Sequence, residues 1–150
     1  MIDRAASADP LIRSLLAAHP KVSSVEESSN PGIEFQIGSW DRRVEIGNPD
    51  LEVSGLVELI DNNPMVCADY MSVPDPLSTL ALVALGPLAW AGMILERPTV
   101  ISSVEGDPDL LDRFLATAGW AEGATLHVEA KDLGTVYAAT AMAEIATPSV

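Results

Sequence analysis

Apolar positions fall at helical spacing in some stretches of this chain and at every second residue in others. Leu11, Ile12, Leu15 and Leu16 share one face of a helix near Pro10–His19. Leu51, Leu56, Val57, Leu59 and Ile60 do the same over Pro49–Asp61, and Leu110, Leu111, Phe114, Leu115 and Ala118 over Pro108–Ala118. Leu77 to Leu95 differs from all of these. It is apolar on every side and holds no charged residue, the pattern of a helix buried all round.

One local device opens each of these stretches: Asp9-Pro10, Asn48-Pro49, Asp75-Pro76 and Asp107-Pro108. Asp or Asn at an N-cap accepts a backbone N–H, and proline at the first helical position gives up a donor that would be unpaired anyway. Closing signals match, with Pro20, Asn62-Asn63-Pro64, Pro98 and Gly119 beyond the four ends. Pro87 removes the hydrogen bond to the Val83 carbonyl, so a kink or a break near Gly86 is expected in the apolar helix over 76–95.

Alternation marks the strands. Ile33, Phe35 and Ile37 point one way, and after a tight connection at Gly38 to Asp41, Val44 and Ile46 continue that face as a hairpin. Val22 and Val25 suggest a strand before it. Met65–Val73, with Met65, Cys67 and Met71 inward, Thr99–Val104, and Ala124–Ala130, with Leu126 and Val128 inward, suggest three after it. The tail from Thr135 to Ala146 suits a helix through its alanines and a strand through Val136, Tyr137 and Thr140, and the helix is preferred. The expected fold is α/β or α+β in a single domain over 1–150. One mixed sheet of roughly five to six strands packs with four to five helices, an N-terminal hairpin precedes a βαβ-like alternation, and the apolar helix lies at the centre.

A membrane span needs about 17–25 apolar residues, so Leu77–Leu95 is long enough to raise that question. Gly86-Pro87 interrupts its middle, acids flank both ends, and no Lys/Arg cluster marks a cytoplasmic side. Burial in the core, or at an interface between subunits, is the better reading. The formal charge of −14 and pI near 4.2 leave no basic face for phosphates or anionic lipids, which argues against nucleic-acid and membrane partners. Cys67 is the only cysteine and the opening MIDRAASADP has no signal-like apolar run, so a cytoplasmic protein is expected.

Candidate chemistry is sparse. Cys67 is the only thiol available as a nucleophile, and His127 could serve it as a base only if their strands were neighbours; a core thiol is the preferred reading. Asp69, Asp75, Glu105 and Asp107 stand near strand ends, where open α/β sheets bind ligands. Their oxygens could hold a divalent metal such as Mg²⁺ or Ca²⁺. Asp75 and Asp107 are already explained as caps, and no cofactor motif is evident. Trp40, Arg42 and Arg43 on the hairpin, with Trp90 on the apolar helix, are the interface candidates, being residue types enriched at binding hot spots. The leading expectation is a small acidic, non-catalytic interaction or accessory subunit, binding a protein partner or itself as a homodimer. The alternative is a small enzyme or ligand-binding protein using the strand-end acids.

Overall fold

The computed structural model describes residues 1–59, 67–103, 105–129 and 139–146. In chain order the elements are β1 (Arg4–Ser7), α1 (Pro10–Ala17), β2 (Val25–Glu27), β3 (Ile33–Ile37), β4 (Trp40–Ile46), a 3-10 turn (Val57–Leu59), β5 (Tyr70–Val73), α2 (Pro76–Trp90), β6 (Thr99–Ser102), α3 (Pro108–Thr117), β7 (Thr125–Val128) and β8 (Ala139–Met142). Two mixed sheets result, ordered β2-β1-β3-β4-β5 and β7-β6-β8. This is an α+β fold with three α-helices among the described residues. It corrects the expectation of one sheet of five to six strands with four to five helices.

Three of the four cap dipeptides start helices. Asp9 Oδ1 accepts from the amides of Leu11 (2.7 Å) and Ile12 (3.2 Å), Asp75 Oδ2 from Leu77 (3.2 Å) and Ser78 (3.3 Å), and Asp107 Oδ1 from Asp109 (2.9 Å). The fourth makes the same local bond, Asn48 Oδ1 accepting from the Asp50 amide at 3.1 Å, but the expected helix over Pro49–Asp61 does not follow. Val53, Ser54 and Gly55 are poor helix formers, and Gly55 sits at φ 130°. They extend instead along β5, where the Ser72 amide donates to Val53 O (2.9 Å) and the Gly55 amide to Ser72 O (3.2 Å). Residues 60–61, and Met65 of the expected Met65–Val73 strand, lie outside the described residues.

In the larger sheet β1 pairs parallel with β2 through α1 and antiparallel with β3. β3 and β4 form the expected hairpin, its turn at Gly38-Ser39 tighter than the sequence suggested, and β4 pairs parallel with β5. Opposed residues share a face, so Ala5, Phe35 and Arg42 lie on one side, while Glu34, Arg43 and Tyr70 lie on the other. α1 packs on β1 and β2, with Arg13 Nη1 donating to the Ser7 and Ala8 carbonyls at 2.9 and 2.7 Å. Only Ile12 and Leu16 of its expected apolar face turn inward; Leu11 and Leu15 are 67% and 64% exposed.

The main core lies in the other half. Leu77, Leu82 and Leu85 of α2, Leu111, Phe114 and Leu115 of α3, and Val100 of β6 form one buried cluster. Both helices end in Schellman motifs, closed by glycines in the left-handed region. At Gly92 (φ 65°) the Met93 amide reaches Leu88 O, and at Gly119 (φ 91°) the Trp120 amide reaches Leu115 O. α2 therefore runs unbroken past Pro87 but stops at Trp90, short of the expected 95. Met93 to Leu95 are extended and pair with residues 144–146, through Leu95 N to Glu144 O and Ala146 N to Met93 O. The tail expected as a helix is strand β8, antiparallel to β6. Residues 135–138 lie outside the described residues.

Candidate functional site

α2 departs most from what its sequence implies. A helix with no polar side was expected to be covered all round, yet its buried residues (Leu77, Ser78, Ala81, Leu82, Leu85, Gly86 and Ala89) occupy about half its circumference. Pro76, Leu80, Val83, Pro87 and Trp90 lie within about 40° of one line on the opposite side. Val83 is 63% and Trp90 62% exposed, Pro76, Ala84 and Pro87 are also exposed, and Leu80 is half-buried. A shallow depression adjoins each end of this ridge. At the start of the helix, Ile46, Val73, Pro74, Pro76, Thr79 and Leu80 enclose about 370 Å³. At its end, Ser54, Leu59, Ala89, Trp90, Gly92 and residues 116–119 enclose about 480 Å³. Among the described residues, neither the ridge nor the lining of either depression includes a charged one, on a chain of net charge −14.

The packing behind the flank fixes its position. A Cβ on Gly86 would meet Leu59 Cδ1, so the bare glycine is the notch into which the 3-10 turn docks. Gly106 receives Leu77 in the same manner at the other end. α3 is tied across by an ion pair from Arg113 to Asp50. With its inner half held against α3, β8 and the 3-10 turn, α2 can present only its remaining side outward.

The residues singled out in the sequence are dispersed. Asp75 and Asp107 cap α2 and α3. Asp69 accepts a hydrogen bond from Trp40 Nε1, and Glu105 is exposed between β6 and α3. No group of three His, Cys, Asp or Glu side chains suited to a metal ion occurs among the described residues. Cys67 is exposed in the turn before β5 and not in the core, and His127 is exposed in β7. β5, which Cys67 precedes, and β7 belong to different sheets, so the two residues are not on neighbouring strands.

Trp40, Arg42 and Arg43 are engaged within the sheet. Arg42 lies 4.6 Å over the Trp40 ring and donates from Nε to Ala68 O at 2.9 Å. Arg43 lies 5.3 Å over Tyr70 and donates to Glu45 at 2.9 Å. Asn48 Nδ2, the Tyr70 hydroxyl and Arg43 converge on the Glu45 carboxylate. The hydrogen bond from Asn48, then that from Tyr70, with the Arg43 charge adding to them, hold it below its ordinary 4.5 against some desolvation. The bond to Glu45 raises Tyr70 in turn, and desolvation adds to this. A groove of about 260 Å³ on this charged face is lined by Arg4, Glu34, Phe35, Asp41, Arg42, Arg43 and Asp69. Its lining mixes both signs of charge, which suits no single ionic ligand. Among the interface candidates, Trp90 alone stands on the uncharged flank.

Comparison with protein-family models, with curated proteins and with solved structures found no match. No helix of the described residues is long and apolar enough to cross a membrane.

Proposed function

We propose that this protein is a small acidic, non-catalytic interaction module that self-associates, and that the exposed flank of α2 is its contact surface. One observation carries the reading: a largely exposed ridge, with a depression at each end, that carries no charge among the described residues of a strongly acidic chain. Water-facing helix sides are ordinarily polar, and contiguous exposed apolar patches mark interaction sites more often than chance. α1 exposes Leu11 and Leu15 as well. That helix is only 8 residues long and offers a much shorter strip than the 15 residues of α2.

Sedimentation velocity tests the proposal over about 1 to 100 μM, where a weak to moderate interface dissociates. The native chain is expected to show a concentration-dependent dimer. Val83→Glu puts a carboxylate in the middle of the ridge without touching the core, so it should abolish the dimer and leave the melting temperature of the monomer unchanged. A native chain that stays monomeric throughout, or a dimer indifferent to Val83→Glu, contradicts the proposal.

A further inference from the structure

We infer that the two copies pack their α2 helices antiparallel about a two-fold axis near Val83, each seating Trp90 in the cleft at the start of the other's α2. This rests on the reading of the α2 flank as the contact surface and adds the identity of the occupant and its register. In a two-fold contact, a residue that touches a second residue on the partner is met by the reciprocal pair. With the axis at Val83, positions equally far on either side come opposite each other. Trp90 then faces Pro76, and Pro87 faces Thr79, each Trp90 lying about 10 Å along the helix from the axis.

That register matches a protrusion to a recess. Pro76 and Thr79 are walls of the cleft of about 370 Å³, with Ile46, Val73, Pro74 and Leu80 completing it. Trp90 is the bulkiest side chain on the flank and is 62% exposed. Tryptophan carries about 150–250 Å² of surface to bury and is the residue type most enriched among interface anchors. A parallel pairing would set Trp90 against Trp90 and leave both clefts empty.

Charge favours a second copy over a basic partner, and area sets how much of the flank must take part. The α2 strip is about 22 Å long and about 10 Å wide, well below the ~800 Å² that each side of a stable specific complex contributes. Surface beyond the strip must therefore take part, and the antiparallel register supplies the cleft at the start of α2 from each copy. A basic partner would find no carboxylate among the described residues of this flank to pair with. Two chains of −14 repel elsewhere on their surfaces, so an uncharged flank is where they can meet at least cost. Added salt should then tighten the contact by screening that repulsion, whereas it would loosen the binding of a basic partner. Antiparallel packing also sets the two helix dipoles head to tail.

Disulfide trapping tests the register. In a Cys67→Ser background, Thr79→Cys and Pro87→Cys chains carrying different tags are mixed and mildly oxidised. Mixed 79–87 cross-links are expected to exceed both 79–79 and 87–87 cross-links severalfold. Alongside, Trp90→Ala should weaken dimerisation by about tenfold or more, and raising salt from about 50 to 500 mM should strengthen it. Predominant 79–79 and 87–87 cross-links, with a dimer still lost in Val83→Glu, overturn the antiparallel register alone. Failure to dimerise at about 100 μM, or a dimer unaffected by Val83→Glu, overturns both the register and the function it rests on.

Discussion

The larger sheet and the helical half of the molecule bury their apolar residues to different depths. In the helical half, Leu82, Val100, Leu111, Phe114 and Leu115 are fully enclosed. In the larger sheet, Ile33, Phe35, Ile37 and Val44 are only half-buried, and apart from Met71 of β5 the enclosed positions are small ones such as Ala5, Ala6 and Ser7. The sheet relies more on its backbone ladders and on polar ties, including Arg42 to Ala68, Asn48 to Glu45 and Arg13 to Ser7. Interior packing scales with side-chain volume removed from water, and hydrogen bonds give less net stability each. The helical half is thus the stable body on which the α2 flank is mounted, and the sheet is the more yielding partner.

Removing a ring from each half gives the sharpest contrast. Phe114→Ala empties a fully buried site and should cost about 3–5 kcal/mol in urea unfolding. Phe35→Ala, in the half-buried face of β3, should cost about 1–2 kcal/mol. Equal costs would show that the sheet is packed as tightly as the helices. Helix caps should erase the contrast, because they act locally. Asp9→Ala in α1 and Asp107→Ala in α3 should each cost about 1 kcal/mol in the same assay.

A smaller effect of opposite sign is expected at Ser78. Its hydroxyl is buried in the first turn of α2 with no hydrogen-bond partner among the described residues, so Ser78→Ala should be neutral or stabilising by up to about 1 kcal/mol. A clear destabilisation would reveal a hidden bond there.

The smallest effect belongs to the Glu45–Tyr70 pair on the sheet. The Glu45 carboxyl is lowered by Asn48, then Tyr70 and Arg43, so its contribution is present above the ordinary 4.5 and is lost as pH falls through the lower folded value. Tyr70 is raised, so its contribution is complete below the ordinary 10.0 and is lost as pH rises through the higher folded value. Melting temperatures of the native chain and Tyr70→Phe should therefore differ between these limits and converge outside them. A constant difference across the whole range would detach the hydroxyl from the carboxylate.

What the sequence made legible follows the range of the forces involved. Caps and hairpins are local, so Asp9, Asp75 and Asp107 marked true helix starts and Ile33–Ile46 a true hairpin. β1 was invisible because Arg4-Ala5-Ala6-Ser7 has no β-branched residue and gains its strand form from neighbours on both sides. The tail became a strand because β6 offered an unpaired edge that alanine propensity could not anticipate. The division into two sheets depends on pairings between distant segments.

Trp90 was an interface candidate by residue type, but the exposed flank around it was not legible. α3 shows its inner side through the stripe of Leu111, Phe114 and Leu115. α2 is apolar all round, so nothing in its pattern says which side the fold leaves outward. Ile46 and Val73 join the cleft only because β4 and β5 end beside the start of α2.

The outer border of the larger sheet has a consequence of its own. β2 there is three residues long and carries Glu26 and Glu27 side by side, while on the far border residues 53–55 occupy the outer side of β5. A strand so short and so acidic gives an incoming chain little to extend, and the other border is already taken. Fibrous growth through that sheet is disfavoured at both margins.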